Sequence, residues 1–241
     1  MMSALVLLRH GQSEWNLANR FTGWVDVDLT PKGEAEAKKS GELLAACNIE
    51  FDQAYTSMQT RAIRTLWFAL SEMERTWLPI TKDYRLNERH YGGLTGLDKA
   101  ETMKKHGKEQ VHIWRRSYDI PPPEMNWDDP LNPCRDRRYA GLGRDVLPNT
   151  ESLKTTLERV LPYYQGQIEP KLASGQNILI SAHGNSLRAL IKYLFVVADE
   201  KIVEIEIPTG NPLLIELGAD QKPIAVKYLD QDRAKTLPEI K

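Results

Sequence analysis

LVLLRHG at residues 5–11 and ILISAHG at residues 178–184 share one pattern, in which a short, largely apolar run leads to His-Gly. Such a run, without polar alternation, is typical of a strand buried on both faces, as in a parallel sheet. Ligands of open parallel sheets bind beyond the carboxyl ends of the strands. If the two strands are parallel neighbours, His10 and His183 therefore lie together at one edge of the sheet.

The other histidines do not share this pattern. His106-Gly107 is a third His-Gly pair, but no apolar run precedes it, so we assign it no function. We expect His90 and His112 to be structural or surface residues.

Cap and turn residues divide most of the chain into alternating strands and helices. Thr30-Pro31 supplies an N-cap and a proline at the first helical position, which predicts a helix to about Ala46. The patterns that follow predict strands over 53–57 and 78–82, helices over 59–74 and from 150–151 onward with a kink at Pro162, a strand over 177–182, a helix over 186–197, and two edge strands over 212–217 and 224–229. This alternation predicts an α/β fold with a mostly parallel central sheet flanked by helices.

Residues 98–148 interrupt the alternation. Six of the 14 prolines lie between 121 and 148, so we expect a short helix and then a loop-rich insertion. Its aromatic residues and nearly balanced charges favour an ordered segment over a disordered one. We expect a single domain over 1–241, with this insertion at about 98–148 and a C-terminal tail at 230–241.

The composition excludes several function classes. The 241 residues include 32 Lys and Arg against 33 Asp and Glu, whereas a general nucleic-acid or membrane-surface binder carries a basic excess. No apolar run approaches the roughly 20 residues of a membrane span, so we expect a cytoplasmic protein without membrane or nucleic-acid partners. Cys47 and Cys134 form no CxxC pair, which argues against a zinc ribbon or a dithiol redox site.

Arginines near the two histidines indicate phosphate chemistry. Arg9 adjoins His10, and Arg61 follows the second predicted strand. The planar guanidinium suits phosphate oxygens, and a histidine among arginines is typical of a phosphoryl acceptor. The chain has no GxxxxGK[ST] phosphate loop and no His, Asp and Glu at metal-ligand spacing, so we predict neither a nucleotide loop nor a metal.

Six segments carry a resemblance to a known family. LVLLRHGQSEWN at 5–16 resembles the signature of the histidine phosphatase superfamily. The segments that resemble the cofactor-dependent phosphoglycerate mutases are FTGWVDVDLTPKG at 21–33, YTSMQTRAIRT at 55–65, LNERHYGGLTGLDKAE at 86–101, WRRSYDIPPP at 114–123 and AHGNSLRAL at 182–190. The RHG element alone indicates only the superfamily, whereas ERHYG, WRR and HGNS together favour the mutase branch. The similarity covers about residues 3–229.

The resemblance implies interconversion of 3-phosphoglycerate and 2-phosphoglycerate, primed by 2,3-bisphosphoglycerate. It makes His10 the phosphohistidine and Glu88 the general acid and base, with His183 stabilising the transition state. The residues that it implies for substrate and phosphate binding are Arg9, Ser13, Asn16, Thr22, Gly23, Arg61, Tyr91, Lys99, Arg115, Arg116, Gly184 and Asn185. The partners expected are small phosphoglycerates and further copies of this chain, in a homodimer or a higher homo-oligomer.

The chain departs from the family in three places. Phe195-Val196-Val197 stands where relatives usually have a polar turn, and Asn211 replaces a typically apolar residue. The tail after Leu229 is shorter than in many relatives, so its role as a lid is open.

Two other functions compete with the mutase. A phosphatase of the same superfamily would pass the phosphoryl group from His10 to water, but it needs no grip on the far end of the substrate, such as Arg115-Arg116 and Lys99 would give. A noncatalytic protein that binds phospho-ligands is expected to lose His10, Glu88 or His183, and all three are present.

Overall fold

The computed structural model describes residues 2–240, and in this part of the chain six strands form one sheet with the order β3-β2-β4-β1-β5-β6. The strands are β1 (Ser3–Arg9), β2 (Gln53–Thr56), β3 (Ile80–Lys82), β4 (Ile178–Ala182), β5 (Leu213–Leu217) and β6 (Pro223–Tyr228). The first four in this order run parallel, while β5 is antiparallel to β1 and β6 is antiparallel to β5. The mostly parallel sheet predicted from the sequence is confirmed.

Eight α-helices accompany the sheet within the same residues. They are α1 (Glu14–Leu17), α2 (Pro31–Ala46), α3 (Thr60–Glu72), α4 (Lys99–His106), α5 (Lys108–Arg116), α6 (Leu153–Tyr163), α7 (Glu169–Ala173) and α8 (Gly184–Leu194). The predicted cap of α2 is confirmed, because Thr30 Oγ1 accepts a hydrogen bond from Gly33 N at 3.1 Å. None of these helices is long and apolar enough to cross a membrane.

The unbroken apolar run of β1 reflects a sheet covered on both faces. Leu5 and Leu7 pack into a core with α6, α7 and α8, whereas Val6 and Leu8 pack into a second core with α2 and α3. Because successive side chains of a strand point to opposite faces, a strand between two helical layers favours apolar residues at nearly every position.

Two details of the sequence interpretation were wrong. The strand at 213–217 is not an edge strand, because β5 pairs with β1 on one side and with β6 on the other. The edges are β6 and the short β3. The insertion begins with two helices, α4 and α5, rather than one, because Gly107 adopts a positive φ of 85° between them.

The helix expected to kink at Pro162 changes pitch just after that residue. Pro162 lies inside α6, and residues 164–168 form a π-helical segment that leads directly into α7.

Candidate active site

The two His-Gly segments lie side by side at the carboxyl edge of the sheet. Arg9 of β1 is in register with Ala182 of β4, and His10 N donates a hydrogen bond to Ala182 O at 3.0 Å. The imidazole centroids of His10 and His183 are 5.0 Å apart, and both rings are buried. The predicted proximity of the two histidines is confirmed.

His10 presents a neutral ring with one free nitrogen. Its Nδ1 lies 2.7 Å from Gly11 O, and because a carbonyl oxygen only accepts, Nδ1 carries the proton. Burial lowers the pKa of His10 well below 6.5, and the charges of Arg61 and Arg9 lower it further. The lone pair is therefore on Nε2, which suits nucleophilic attack on phosphorus.

His183 forms a buried hydrogen bond with a serine. Ser57 Oγ lies 2.7 Å from His183 Nε2, and it also accepts from Gln59 N at 3.2 Å. Burial, with the charge of Arg61, lowers the pKa of His183 well below 6.5, so the ring is neutral near neutral pH.

Backbone carbonyls fix the two nearest arginines. The Arg61 guanidinium donates to Gly23 O at 2.9 Å and to Val25 O at 3.0 Å, while Arg9 Nη1 donates to Ile207 O at 2.8 Å. Burial lowers the pKa of Arg61 to about 10, so the group remains a cation near neutral pH. The buried Arg9 Nε has no partner within residues 2–240.

Glu88 is a buried carboxylate beside the first turn of α8. Its Oε1 accepts from Arg89 N at 2.8 Å and from Asn185 N at 3.1 Å. No described residue donates a hydrogen bond to Oε2. One oxygen is thus held by the backbone, and the other is available to exchange a proton.

Arg9, His10, Arg61 and Glu88 open onto a cavity of about 580 Å³. It is lined by most of the residues predicted for the site, namely Arg9, His10, Asn16, Thr22, Gly23, Arg61, Glu88, Tyr91, Lys99, Arg115, Arg116, Gly184 and Asn185. The wall carries nine arginines and lysines but only three carboxylates, although the whole chain has a net charge of −1. The excess of positive charge is therefore local, as an anion site requires.

Two predicted site residues do not line the cavity. His183 is not among the wall residues, although its ring centroid is 5.0 Å from that of His10, which is one of them. Ser13 is fully buried, and its Oγ accepts from Asn16 N at 3.2 Å as the N-cap of α1. The structure thus shows a capping contact for Ser13, and its contact with substrate stays a prediction.

Several wall residues were missed by the sequence reasoning, among them Arg20, Arg188 and residues 205–209. Arg188 follows Gly184 by one helical turn, so the spacing was sufficient to place it on the same face of α8. It is buried and donates to Asn185 Oδ1 at 3.1 Å and to Ile202 O at 2.6 Å. Burial, with the charge of Arg116, lowers its pKa to about 10.

The C-terminal tail also reaches the cavity, where residues 232–235 form part of the wall. Arg233 anchors this segment, because it donates to Thr209 O and lies 3.7 Å from the Glu36 carboxylate. Two other wall residues, Arg116 of α5 and Glu206, form a 2.6 Å ion pair.

Comparisons with known proteins agree with this geometry. Residues 5–230 match the model of the histidine phosphatase superfamily, branch 1. The chain is 64% identical over 239 residues to a protein of a Caulobacter species and 62% identical over 239 residues to one of Hyphomonas neptunium, in each case covering 99% of this chain and 100% of the relative. Both relatives carry the name 2,3-bisphosphoglycerate-dependent phosphoglycerate mutase.

Solved structures share the fold at low sequence identity. A mycobacterial hydrolase superposes with a TM-score of 0.72 at 19% identity, covering all of both chains. A phosphoglycerate mutase from Bacillus anthracis superposes with a TM-score of 0.65 at 21% identity, covering 94% of this chain and 92% of its own. The chain therefore belongs to branch 1 of the histidine phosphatase superfamily, and within it to the family of 2,3-bisphosphoglycerate-dependent phosphoglycerate mutases.

Proposed function

We propose that this protein interconverts 3-phosphoglycerate and 2-phosphoglycerate through a phosphohistidine at His10. The observation that carries the proposal is the neutral, buried His10 ring, with the lone pair on Nε2, in a cavity rich in guanidinium groups. Full-length relatives at 57–64% identity that carry the mutase name support it.

Side chains of this site carry out each step of the phosphoryl transfer. His10 Nε2 attacks phosphorus as the bond from phosphorus to the substrate oxygen breaks, and Glu88 gives a proton to that oxygen. In the reverse direction Glu88 takes the proton of the substrate hydroxyl, and the bond from His10 to phosphorus breaks. Arg9 and Arg61 neutralise the equatorial oxygens, and His183 donates a hydrogen bond to them.

The cavity also fits a ligand with several anionic groups. The buried Nε atoms of Arg9 and Arg188 have no hydrogen-bond partner among the described residues. The cavity wall contains nine cationic side chains and three carboxylates. When bound, 2,3-bisphosphoglycerate supplies the phosphoryl group that loads His10. Lys99, Arg115 and Arg116 hold the end of the substrate that does not react, which a plain phosphatase does not need.

Metal ions have no part in the proposed chemistry. Among residues 2–240, no group of three or more His, Cys, Asp or Glu side chains is arranged to hold one. The arginines supply the positive charge that Mg²⁺ supplies in kinases.

We further propose a homodimer or a higher homo-oligomer in the cytoplasm. The short strand β3 leaves one edge of the sheet unpaired, and the segment from α3 to β3 exposes Trp67 (54%) and Trp77 (67%). Sheet edges and large exposed apolar side chains are commonly covered by a partner. Light scattering of the purified protein tests this, and a Trp77→Arg variant is expected to shift the mass toward the monomer.

The test of function is to incubate the protein with 3-phosphoglycerate, with and without a trace of 2,3-bisphosphoglycerate, and to follow 2-phosphoglycerate. Radiolabelled bisphosphoglycerate should leave acid-labile, base-stable phosphate on the protein. His10→Ala should abolish the label, whereas the control His112→Ala, at an exposed histidine, should retain it. Equal labelling of the His10→Ala variant refutes the assignment, and release of phosphate without 2-phosphoglycerate identifies a phosphatase instead.

A further inference from the structure

A buried ion pair outside the cavity joins Glu151 to Arg159 of α6. Their side chains are 4% and 9% exposed, and the pair is bidentate, with Arg159 Nε 2.7 Å from Glu151 Oε1 and Arg159 Nη2 2.9 Å from Glu151 Oε2. Burying two charges costs more than their attraction returns unless further hydrogen bonds satisfy the remaining donors and acceptors. The partners of those remaining groups therefore indicate what the pair does.

The remaining donors of Arg159 bind the segment that ends in Glu88. Its Nη1 donates to Arg85 O at 2.8 Å and to Tyr84 O and Asn87 O at 3.3 Å. Its Nη2 donates to Glu88 O at 3.2 Å, and also to Asn87 O at 3.3 Å. One planar guanidinium thus binds four of the five backbone carbonyl groups of residues 84–88. The single ammonium of a lysine does not reproduce this geometry.

Glu151 holds the same segment from the other side of Glu88. Its Oε2 accepts from His90 N at 2.8 Å, and its backbone N donates to His90 O at 2.9 Å. The ion pair therefore grips the backbone both at Glu88 and two residues beyond it.

The Glu88 backbone has few other anchors among the described residues. Residues 84–86 form a single 3-10 turn, and Glu88 itself lies in no helix or strand. Gln59 Oε1 accepts from Glu88 N at 2.8 Å, and the side chain of the preceding Asn87 accepts from Met58 N at 3.0 Å and donates to Tyr139 OH at 2.8 Å. A carboxylate on irregular backbone needs such supports, because displacement by about 1 Å costs as much as 100-fold in rate.

We propose that Arg159 and Glu151 are positioning residues for Glu88, which hold its carboxylate where it exchanges a proton with the substrate oxygen. The inference rests on the proposed function of the cavity. Neither residue lines that cavity, so substrate affinity does not depend directly on either one.

The test compares two phosphoryl-transfer steps, of which only the second needs Glu88 to exchange a proton. The nitrophenolate released from p-nitrophenyl phosphate leaves as a stable anion, so loading of His10 from this donor needs no proton from Glu88. Transfer from phosphohistidine to the hydroxyl of 3-phosphoglycerate requires Glu88 as a base. General acid and base groups contribute about 10²–10⁴-fold, and a misplaced one loses part of this.

For Arg159→Lys, which keeps the charge and loses the planar fork, we expect kcat for the mutase reaction to fall by roughly 10- to 100-fold. KM should stay within about threefold, since the cavity wall is intact. Loading of His10 from p-nitrophenyl phosphate should stay within about twofold of wild type. Glu151→Gln, which removes the charge but keeps an acceptor for His90 N, should show the same split and serves if Arg159→Lys does not fold.

Arg64→Lys is the matched control. Arg64 also binds two carboxylate groups, of Asp28 at 2.6 Å and of Glu34 at 2.7 Å, but it does not contact the Glu88 segment. It should leave both reactions at the wild-type level.

Two results overturn the inference. Either an equal loss of loading and transfer in the Arg159 and Glu151 variants, or no loss of transfer in them, shows that the pair does not act through Glu88. A wild-type protein that loads His10 but makes no 2-phosphoglycerate refutes the proposed function itself, so the two failures are distinguishable.

Discussion

The C-terminus of α8 offers a stability prediction whose size follows from the backbone. Val197 N donates to Lys192 O at 3.1 Å and Val196 N to Tyr193 O at 3.3 Å, which is the hydrogen-bond pattern of a Schellman motif. The residue at the left-handed position is Val196, with φ of 50°. Glycine usually occupies this position, because a side chain with Cβ loses about 1–2 kcal/mol there, and a β-branched one is at the upper end.

Val196→Gly should therefore stabilise the protein. The side chain is 68% exposed, so its removal sacrifices little burial. Glycine gives back about 0.5–1 kcal/mol through the greater freedom of the unfolded chain, which leaves a net gain of about 1–1.5 kcal/mol from a strain of about 2 kcal/mol. In a domain of this size that gain raises Tm by about 2–6 °C.

Differential scanning calorimetry of wild type and Val196→Gly measures the shift. Val196→Ala is the control, since it shortens the exposed side chain yet retains Cβ in the left-handed conformation, and it should gain less than glycine. An unchanged or lower Tm for the glycine variant, or an equal gain for alanine, would refute the argument from backbone strain.

Three further predictions concern the site, and a fourth concerns the pH dependence of stability. Glu88→Gln should still bind 3-phosphoglycerate but lose about 10²–10⁴-fold in kcat, because glutamine relays no proton; a loss below about threefold would make Glu88 structural. Deletion of residues 230–241, part of which lines the cavity, should raise the hydrolysis of 2,3-bisphosphoglycerate relative to mutase activity in a truncation that melts normally, because more water reaches phosphohistidine; an unchanged ratio means that the tail is no lid. Full activity should survive EDTA, and activity that is lost and then restored by Mn²⁺ would contradict the arginine-based mechanism. Burial lowers the pKa of His90 from 6.5 to about 4, so the unfolded chain protonates first and the free energy of unfolding should fall as the pH falls through that interval. His90→Asn should flatten this slope in melts followed from pH 7 to pH 4, and an identical slope would show that His90 does not contribute.

The features that the sequence predicted well are those set by local chemistry. The runs before His10 and His183 are largely apolar because both faces of the sheet are covered, so the parallel pairing and the meeting of the two rings were predictable. The start of α2 was predictable for the same reason, since Thr30 and Pro31 act within one turn.

Features set by distant contacts were not predictable in this way. The position of β5 inside the sheet depends on its pairing with β1, and no local pattern distinguishes an antiparallel inner strand from an edge. Arg159 stands in a helix as an ordinary charged residue, and only the fold shows that it holds the carbonyl groups beside Glu88. Ser13 illustrates the reverse problem, because a hydroxyl suits a helix cap and a phosphate contact equally well.

The position of β1 within the sheet has a consequence for the chain as it leaves the ribosome. This first strand forms its ladders only with β4 and β5, and Ala4 N bonds the side chain of Asn177, 173 positions later. Synthesis proceeds at about 5–20 residues per second, so β4 is complete roughly 10–35 seconds after β1. During that interval its apolar residues are open to pairing with other nascent chains or to capture by a chaperone. Because the same pairing brings His10 and His183 together, a nascent chain acquires its phosphate site only when this ladder closes.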